Sequence, residues 1–379
     1  MKSLLAATLA TVILTSPVKA ETIAAQINQA HQQYEAALAS GDNSAALENA
    51  RLAYQLAVDS SLAIDNPDSF IALADNLAVL LGNSHRTAQL NEAIEIISQE
   101  IEVIEEVYGD DSAKLVYPLL DRATWTNKVL FRERESSDSR DVRRARAIVE
   151  EQYDTNDIAR ANLLTDVADI FYYVLRDRRA ASVIDDAVEI YAATLPPEDI
   201  RRGRAEFLAG KIDYSRGYYR AATEHLEVAG EAYVTEDAGR NAIGLSTLGL
   251  LVQSYSQLGE DELATEYCLA IGKQTPFNGT ENFLPVFKKA PEYPQRAMRS
   301  DIQGWVIVEF EVDEQGFTRG HQVVESELTR GGRPTSSDAG LEAASIKAAE
   351  AFRYAPRFID GQPVATPRVR NRFKFEIQG

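Results

Sequence analysis

The residue types that carry most catalysis are few in this chain and poorly spaced for it. Histidine occurs at positions 31, 85, 225 and 321, each isolated, and no HExxH or CxxC spacing gathers ligands for a metal ion. No GxSxG elbow, Walker loop or dinucleotide fingerprint occurs, and no nucleophile can be matched to a base. The sequence therefore reads as non-enzymatic, with no cofactor and no metal. Cys268 is the only cysteine. That excludes an intramolecular disulfide, and its place four residues after Ala264 on an inward helical face predicts a small buried residue rather than a reactive thiol. His321 falls in an alternating segment and is expected to be a partly exposed sheet residue.

The chemistry that remains is recognition by backbone and charge, and it gathers near the carboxy terminus. Arg368 to Ile377 alternates, which predicts Val369, Phe373, Phe375 and Ile377 inward and Arg368, Arg370, Arg372 and Lys374 outward. Four cations on one strand face favour an acidic or carboxylate-bearing partner. Charges of this kind equally guard an edge strand against self-pairing. Arg296 and Arg299 could extend the patch.

That strand needs partners, and the preceding residues supply them. After Thr275-Pro276 the texture changes, with seven prolines from Pro285 to Pro367, so a second domain is expected over 276–379. Trp305 to Val312 alternates, with Val306, Val308, Phe310 and Val312 on one face. Asp313-Glu314-Gln315-Gly316 makes a hairpin turn, and Phe317 to Val324 returns as a second strand. Asp338 is expected to cap a helix with a stripe of Leu341, Ala344, Ala348 and Phe352, ended by Tyr354-Ala355-Pro356.

Strand, strand, helix, strand with this punctuation resembles the carboxy-terminal domain of TonB, the periplasmic energy transducer, over about Pro291 to Ile377. The resemblance is carried by Pro291-Glu292-Tyr293-Pro294 with Ala297, by Gly304, and by Val312-Asp313-Glu314-Gln315-Gly316. It continues in Ala348 to Pro356, which reads AAEAFRYAP and includes Tyr354, and in Gly361-Gln362-Pro363-Val364. It implies that the last strand is an edge to which outer-membrane receptors add a short extended segment, so the partner-binding residues are expected at Arg368, Arg370, Arg372, Phe373 and Lys374. An energy transducer of that family also needs a membrane helix and a long proline-rich arm, and neither is found here.

In their place stands a helical segment over residues 21–275. Only four prolines interrupt it, and apolar residues recur at three and four residue spacing. Gly41-Asp42-Asn43, Asn66-Pro67-Asp68, Gly109-Asp110-Asp111, Ser136 to Ser139, Pro196-Pro197-Glu198 and Gly259-Glu260-Asp261 cut it into about twelve helices. Small residues follow the glycine turns at fixed offsets, as in Ala46, Ala50 and Ala53, Ala222 and Ala229, or Ala264 and Cys268. This resembles the tetratricopeptide repeat. The alanines at 46, 93, 145, 181, 222 and 264 are spaced more widely than that family's period, which predicts about six hairpins in a curved stack, extended around Ala88–Tyr108. The resemblance implies a concave face that holds a peptide or protein. The Glu100 to Glu106 run reads as a solvated helix face, and Arg140, Arg143, Arg144 and Arg146 as cations paired with acidic neighbours.

Of 39 basic and 58 acidic residues, the segment from Glu281 onward holds 14 of each, so the whole net charge of −19 lies in the helical part. Such a balance argues against nucleic acid as a partner. Residues 1–20 read as a secretory signal: Lys2, an apolar run from Leu4 to Leu14, Pro17, and a small-residue cleavage pattern at Val18-Lys19-Ala20. A location in the periplasm follows, with inner-membrane anchoring only if residues 1–20 are retained. No other apolar run approaches spanning length.

The fold class expected is therefore an all-α hairpin solenoid followed by a small α+β (β-β-α-β) domain. The function expected is protein binding at the cell envelope, linked to TonB-dependent transport by strand addition. The alternative is an envelope scaffold in which the helical stack is the main binding surface, or in which the TonB-like domain docks on its own repeats.

Overall fold

Among the described residues between Pro17 and Gln274 helix follows helix, and Asp42, Asn66, Asp157 and Asp199 each supply a side-chain cap for the helix that follows. The computed structural model describes residues 17–234, 242–275 and 283–377. The signal-like segment falls largely on residues 1–16, outside the described residues. The chain divides into two compact units, Met1–Thr194 and Leu195–Gly379. Among the described residues no helix is long and apolar enough to cross a membrane.

The first unit contains α1 (Pro17–Ser40), α2 (Asn43–Val58), the single turn α3 (Leu62–Asp65), α4 (Pro67–Gly82), α5 (Thr87–Tyr108), α6 (Val116–Glu133), α7 (Arg140–Gln152), α8 (Ile158–Asp169) and α9 (Arg179–Thr194). They pack as the hairpins α1/α2, α4/α5, α6/α7 and α8/α9. Asp42 caps α2 by accepting from the amides of Ser44 and Ala45 at 3.1 and 3.0 Å. Asn66 caps α4, with Pro67 in its first turn. Ala46, Ala93, Ala145 and Ala181 are all buried, which lets paired helices approach closely. A π-helical turn, Ile170–Val174, continues α8, and no breaker or change of period in the sequence marks it.

Three of the four arginines at the start of α7 are paired as expected, Arg140 with Asp138 at 2.6 Å, Arg144 with Glu105, and Arg146 with Glu150 at 2.6 Å, whereas Arg143 donates to the Ser139 carbonyl at 3.4 Å. The acidic run on α5 is not uniformly solvated, however. Glu100 is only 2% exposed and lies on the packed face with Ile97, Ile101 and Ile104. Its four-residue spacing from Ile96 and Ile104 puts it there.

The second unit opens with two more hairpins, α10 (Ile200–Arg216) with α11 (Tyr219–Tyr233), and α12 (Ala242–Leu258) with α13 (Asp261–Gln274). Among the described residues this completes six hairpins and twelve helices besides α3. Next come α14 (Gln295–Arg299), β1 (Ile302–Val312), β2 (Thr318–Arg330), β3 (Arg333–Pro334), α15 (Leu341–Glu350), β4 (Arg357–Ile359), β5 (Gln362–Val364) and β6 (Thr366–Phe375). Four of the strands form an antiparallel sheet in the order β3-β2-β1-β6, and β4 and β5 form a separate hairpin.

Val306, Val308, Phe310 and Val312 of β1 and Val369, Phe373 and Phe375 of β6 face α15. There they pack on Leu341, Ala348, Ala349, Phe352 and Tyr354. The alternation read from the sequence therefore selects the core face. Four details differ from expectation. β2 runs on to Arg330, although only Leu328 in its second half is buried and no apolar alternation marks it. Asp338 lies two residues before the true cap position, where its carboxylate accepts from the Gly340 amide. The helix stops at Glu350, so Phe352 joins the core from the segment beyond it. Ile377 lies past the end of β6 and is 37% exposed, not inward.

Candidate functional site

The carboxy-terminal domain presents two surfaces with distinct chemistry: a sheet edge, and a face already occupied by the helical hairpin α12/α13.

The edge is β6, which among the described residues is hydrogen-bonded to β1 and to no other strand. Alternate backbone groups of such a strand point away from its one partner and are free to pair with an added strand. Its cations are less free than their sequence suggests. Arg370 Nε donates to Glu309 Oε2 at 2.7 Å, and this bond holds the Glu309 carboxyl below the usual carboxylate range. The Arg372 guanidinium lies 3.8 Å over the Trp305 ring, and Lys374 pairs with Glu376 at 2.6 Å. Arg368 is exposed, with φ at 55°. Phe373 is not a surface residue. Only 2% exposed and packed on Phe352, it serves the core and cannot meet a partner's side chain. Arg296 and Arg299 sit on α14 and form no described contact with β6.

The remaining signature residues build the domain. Tyr293 donates its hydroxyl to the Ile302 carbonyl at 2.7 Å and meets Phe375 edge-on. Pro294 leads into α14, and Gly304 lies opposite Leu328 in the β1–β2 register. Asp313 accepts from the amides of Gln315 and Phe317, fixing the β1–β2 turn. At Gly316, φ is 85° and a Cβ would overlap the Tyr354 carbonyl oxygen. Its own carbonyl accepts from the Tyr354 amide at 2.9 Å. Asp360 and Gly361, both at positive φ, turn β4 into β5.

Residues 289–377 match the Gram-negative bacterial TonB protein C-terminal family. No curated protein matches the chain. Similar solved structures include the nearly identical TPR-like repeats of a Podosopora anserina kinesin light chain, at 16% identity and a TM-score of 0.41, covering 54% of this chain and 92% of that one. A single-substitution form of the same repeats gives 16% identity, a TM-score of 0.41, and coverage of 55% and 92%. The TonB match makes the carboxy-terminal domain an envelope protein-interaction module.

The second surface is where the TonB-type domain meets α12 and α13; Cys268 and Pro356, singled out from the sequence for other reasons, lie on it, but the arginine at its centre was not among the residues singled out. Val252, Cys268 and Phe287 form a buried cluster with Tyr267, Ile271 and Val286 against it. Gly272 faces the Pro356 carbonyl and the Phe358 ring so closely that any side chain would collide with them. At the centre is Arg353, only 3% exposed. Its guanidinium lies 3.6 Å over Phe317, and Nη2 donates to Thr265 Oγ1 at 2.6 Å. Asp261 stands 3.5 Å from Nη1. The Arg353 backbone also bonds to Val286 and Phe287, strapping the segment that enters the domain.

Cys268 belongs to this face, and burial pushes its thiol pKa up to about 11, against the opposing charge of Arg353. A thiol in that state is not a nucleophile near neutral pH. Native protein at neutral pH should therefore fail to react with a disulfide reagent such as DTNB, and react fully once denatured. Prompt labelling of the native chain would mean that the face opens. Among the described residues no group of three or more His, Cys, Asp or Glu side chains could hold a metal ion.

Proposed function

We propose that this protein is a periplasmic binding module whose TonB-type domain accepts an extended segment of an outer-membrane receptor, or of another envelope protein, along β6. The helical hairpins recruit a second peptide or protein. The observation that carries this reading is the position of β6 at the sheet edge with a strand on one side only. Because three of its four cations already have partners within the domain, affinity comes from backbone pairing, and charge contributes mainly through Arg368.

A second reading, a scaffold in which the TonB-type domain docks on its own repeats, is favoured by the buried Arg353–Thr265 contact. The two are compatible, since no residue of that face lies on β6. The domain is then a fixed head on the last hairpin rather than the end of a long mobile arm.

The full chain, immobilised and exposed to detergent-solubilised envelopes, should recover outer-membrane receptors. Arg370→Pro, which removes an amide and fixes φ in the edge strand, should abolish recovery, while Arg370→Ala should keep it. Absence of receptors from the wild-type eluate overturns strand addition to receptors and leaves the scaffold reading.

A further inference from the structure

The end of the sheet where β1 begins and β2 finishes carries arginines that have no counter-ion among the described residues. Gly331 and Gly332, at φ of 52° and 78°, make the two-residue turn from β2 into β3 and set Arg330 directly opposite Arg333. Like charges so placed repel across the ladder and weaken the hairpin that holds them. Residues opposite one another share a face, and Arg330 also lies opposite buried Ile302. Both arginines therefore leave the sheet on the core side, where Ala297 of α14 is packed. The Gly331 amide donates to the Asp301 carbonyl at 3.0 Å, which sets the turn beside the end of α14 with its Arg296 and Arg299. All four arginines are exposed, and Arg299 reaches only Gln295, at 3.4 Å. Of the carboxylates nearby, Asp301 is bonded to Gln303 at 2.8 Å, Glu376 is paired with Lys374, and Glu327 lies on the other face of the sheet. Glu292, exposed ahead of α14, forms no ion pair with them among the described residues. By contrast Arg319, Arg353, Arg370 and Arg372 of the same domain each lie against a carboxylate, a hydroxyl or a ring. Two exposed apolar side chains stand among the four arginines. Met298, 49% exposed, lies between Arg296 and Arg299, and Ile377 is brought to the same end by its amide, which donates to Gln303 Oε1 at 3.0 Å.

We propose that this end of the TonB-type domain docks on a bilayer surface that contains anionic phospholipid. A guanidinium group matches phosphate oxygens two at a time, and mobile headgroups adjust to arginines spaced on two separate elements. Phosphates gathered between Arg330 and Arg333 relieve the repulsion that the turn builds in. Exposed apolar side chains among cations enter the boundary between headgroups and acyl chains, which gives Met298 and Ile377 a use. An acidic peptide segment offers its carboxylates along a single line, whereas these arginines spread over a turn and a helix with apolar side chains between them. The net charge of −19 belongs to the helical part and opposes docking only at long range, because at physiological ionic strength charges are screened beyond ~8 Å. Each basic residue beside an anionic surface is worth about fivefold in partitioning, so four of them hold the domain reversibly and in a salt-sensitive way. The β6 edge stays uncovered and is held beside the bilayer. Docking itself does not depend on strand addition, and vesicles without receptors test it alone.

The chain from Glu21 onward, the form expected after export, should co-sediment with vesicles of equal parts phosphatidylglycerol and phosphatidylcholine. It should not do so with phosphatidylcholine alone, and high salt should release it. Arg330→Gln/Arg333→Gln should lower the partition coefficient at least ~10-fold. Its melting midpoint should be no lower than that of the wild type, since the change removes two opposed like charges. Arg319→Gln/Lys347→Gln removes the same charge toward the other end of the domain, where Thr318 bonds to the Ala349 carbonyl, and should change partitioning by less than about twofold. Met298→Cys carrying an environment-sensitive fluorophore should shift to the blue on the anionic vesicles and stay unchanged in inorganic phosphate. Absence of binding to the anionic vesicles, equal losses for the two double variants, or a label at Met298 unmoved by vesicles overturns the proposal. Binding of inorganic phosphate or of an acidic peptide by a chain that ignores the vesicles also overturns it and gives the arginines to that ligand.

Discussion

Gly316→Val is expected to destabilise the carboxy-terminal unit by ~2–5 kcal/mol, from left-handed strain of ~1–2 kcal/mol plus overpacking of ~1–3 kcal/mol. The added Cβ would be driven into the Tyr354 carbonyl, part of the backbone beside the Arg353 anchor, and a backbone group cannot rotate aside. Gly320→Val separates the two contributions: φ there is 64°, but a Cβ would meet nothing within 4 Å, so only the strain is felt. Trp125 and Trp305 are the only tryptophans, so Trp305 fluorescence in a Trp125→Phe background reports this unit. Gly316→Val should lower its melting midpoint by about 5–15 °C and Gly320→Val by a few degrees. Equal shifts for the two variants would show that the close approach to Tyr354 does not exist.

The parts of the molecule that could be read from sequence are those held by short-range rules. Gly41-Asp42-Asn43 announced a hairpin because a glycine stop and a carboxylate cap act within four residues. Val306, Val308, Phe310 and Val312 announced a core face because strand period is local. β2 beyond Val324 was illegible because its outward face is solvated and its partner, not its own pattern, sets its length. The β4–β5 hairpin did leave a signal, Asp360-Gly361 between short apolar runs, which is a preferred sequence for a two-residue turn. At the site, alternation placed the four cations on one face. Their partners Glu309 and Trp305 depend on register and strand order, which no single segment specifies, whereas Glu376 is a local partner two residues from Lys374. The docking face was hidden for a stronger reason. Arg353 looks like an ordinary exposed arginine after a helix, and only tertiary contact with residues about ninety positions earlier turns it into an anchor.

That anchor gives the second large effect, and its sign depends on which partner is removed. Thr265 Oγ1 accepts from Arg353 and donates to the Asp261 carbonyl at 2.7 Å, so one hydroxyl satisfies two groups. Thr265→Val leaves a guanidinium that is still buried, still charged and short of its best acceptor. Its Nε already lacks a partner among the described residues, and Asp261 at 3.5 Å from Nη1 is too far for a good bond. The expected cost is ~1–3 kcal/mol. Arg353→Met keeps an unbranched apolar side chain against Phe317 and removes the charge together with its desolvation, so stability should change by less than ~1 kcal/mol. The two changes must then be non-additive: Thr265→Val in the Arg353→Met background should cost almost nothing more, because the hydroxyl no longer has a cation to serve. Denaturant unfolding of the four proteins, with Cys268 labelling as a second reporter, measures the cycle. If Arg353→Met proves the more damaging single change, the cation is itself the source of stability at this face. The TonB-type domain would then be held by charge and should loosen with salt. If Thr265→Val is worse, packing of Val252, Cys268 and Phe287 holds the domain, and the arginine fixes which way round it sits.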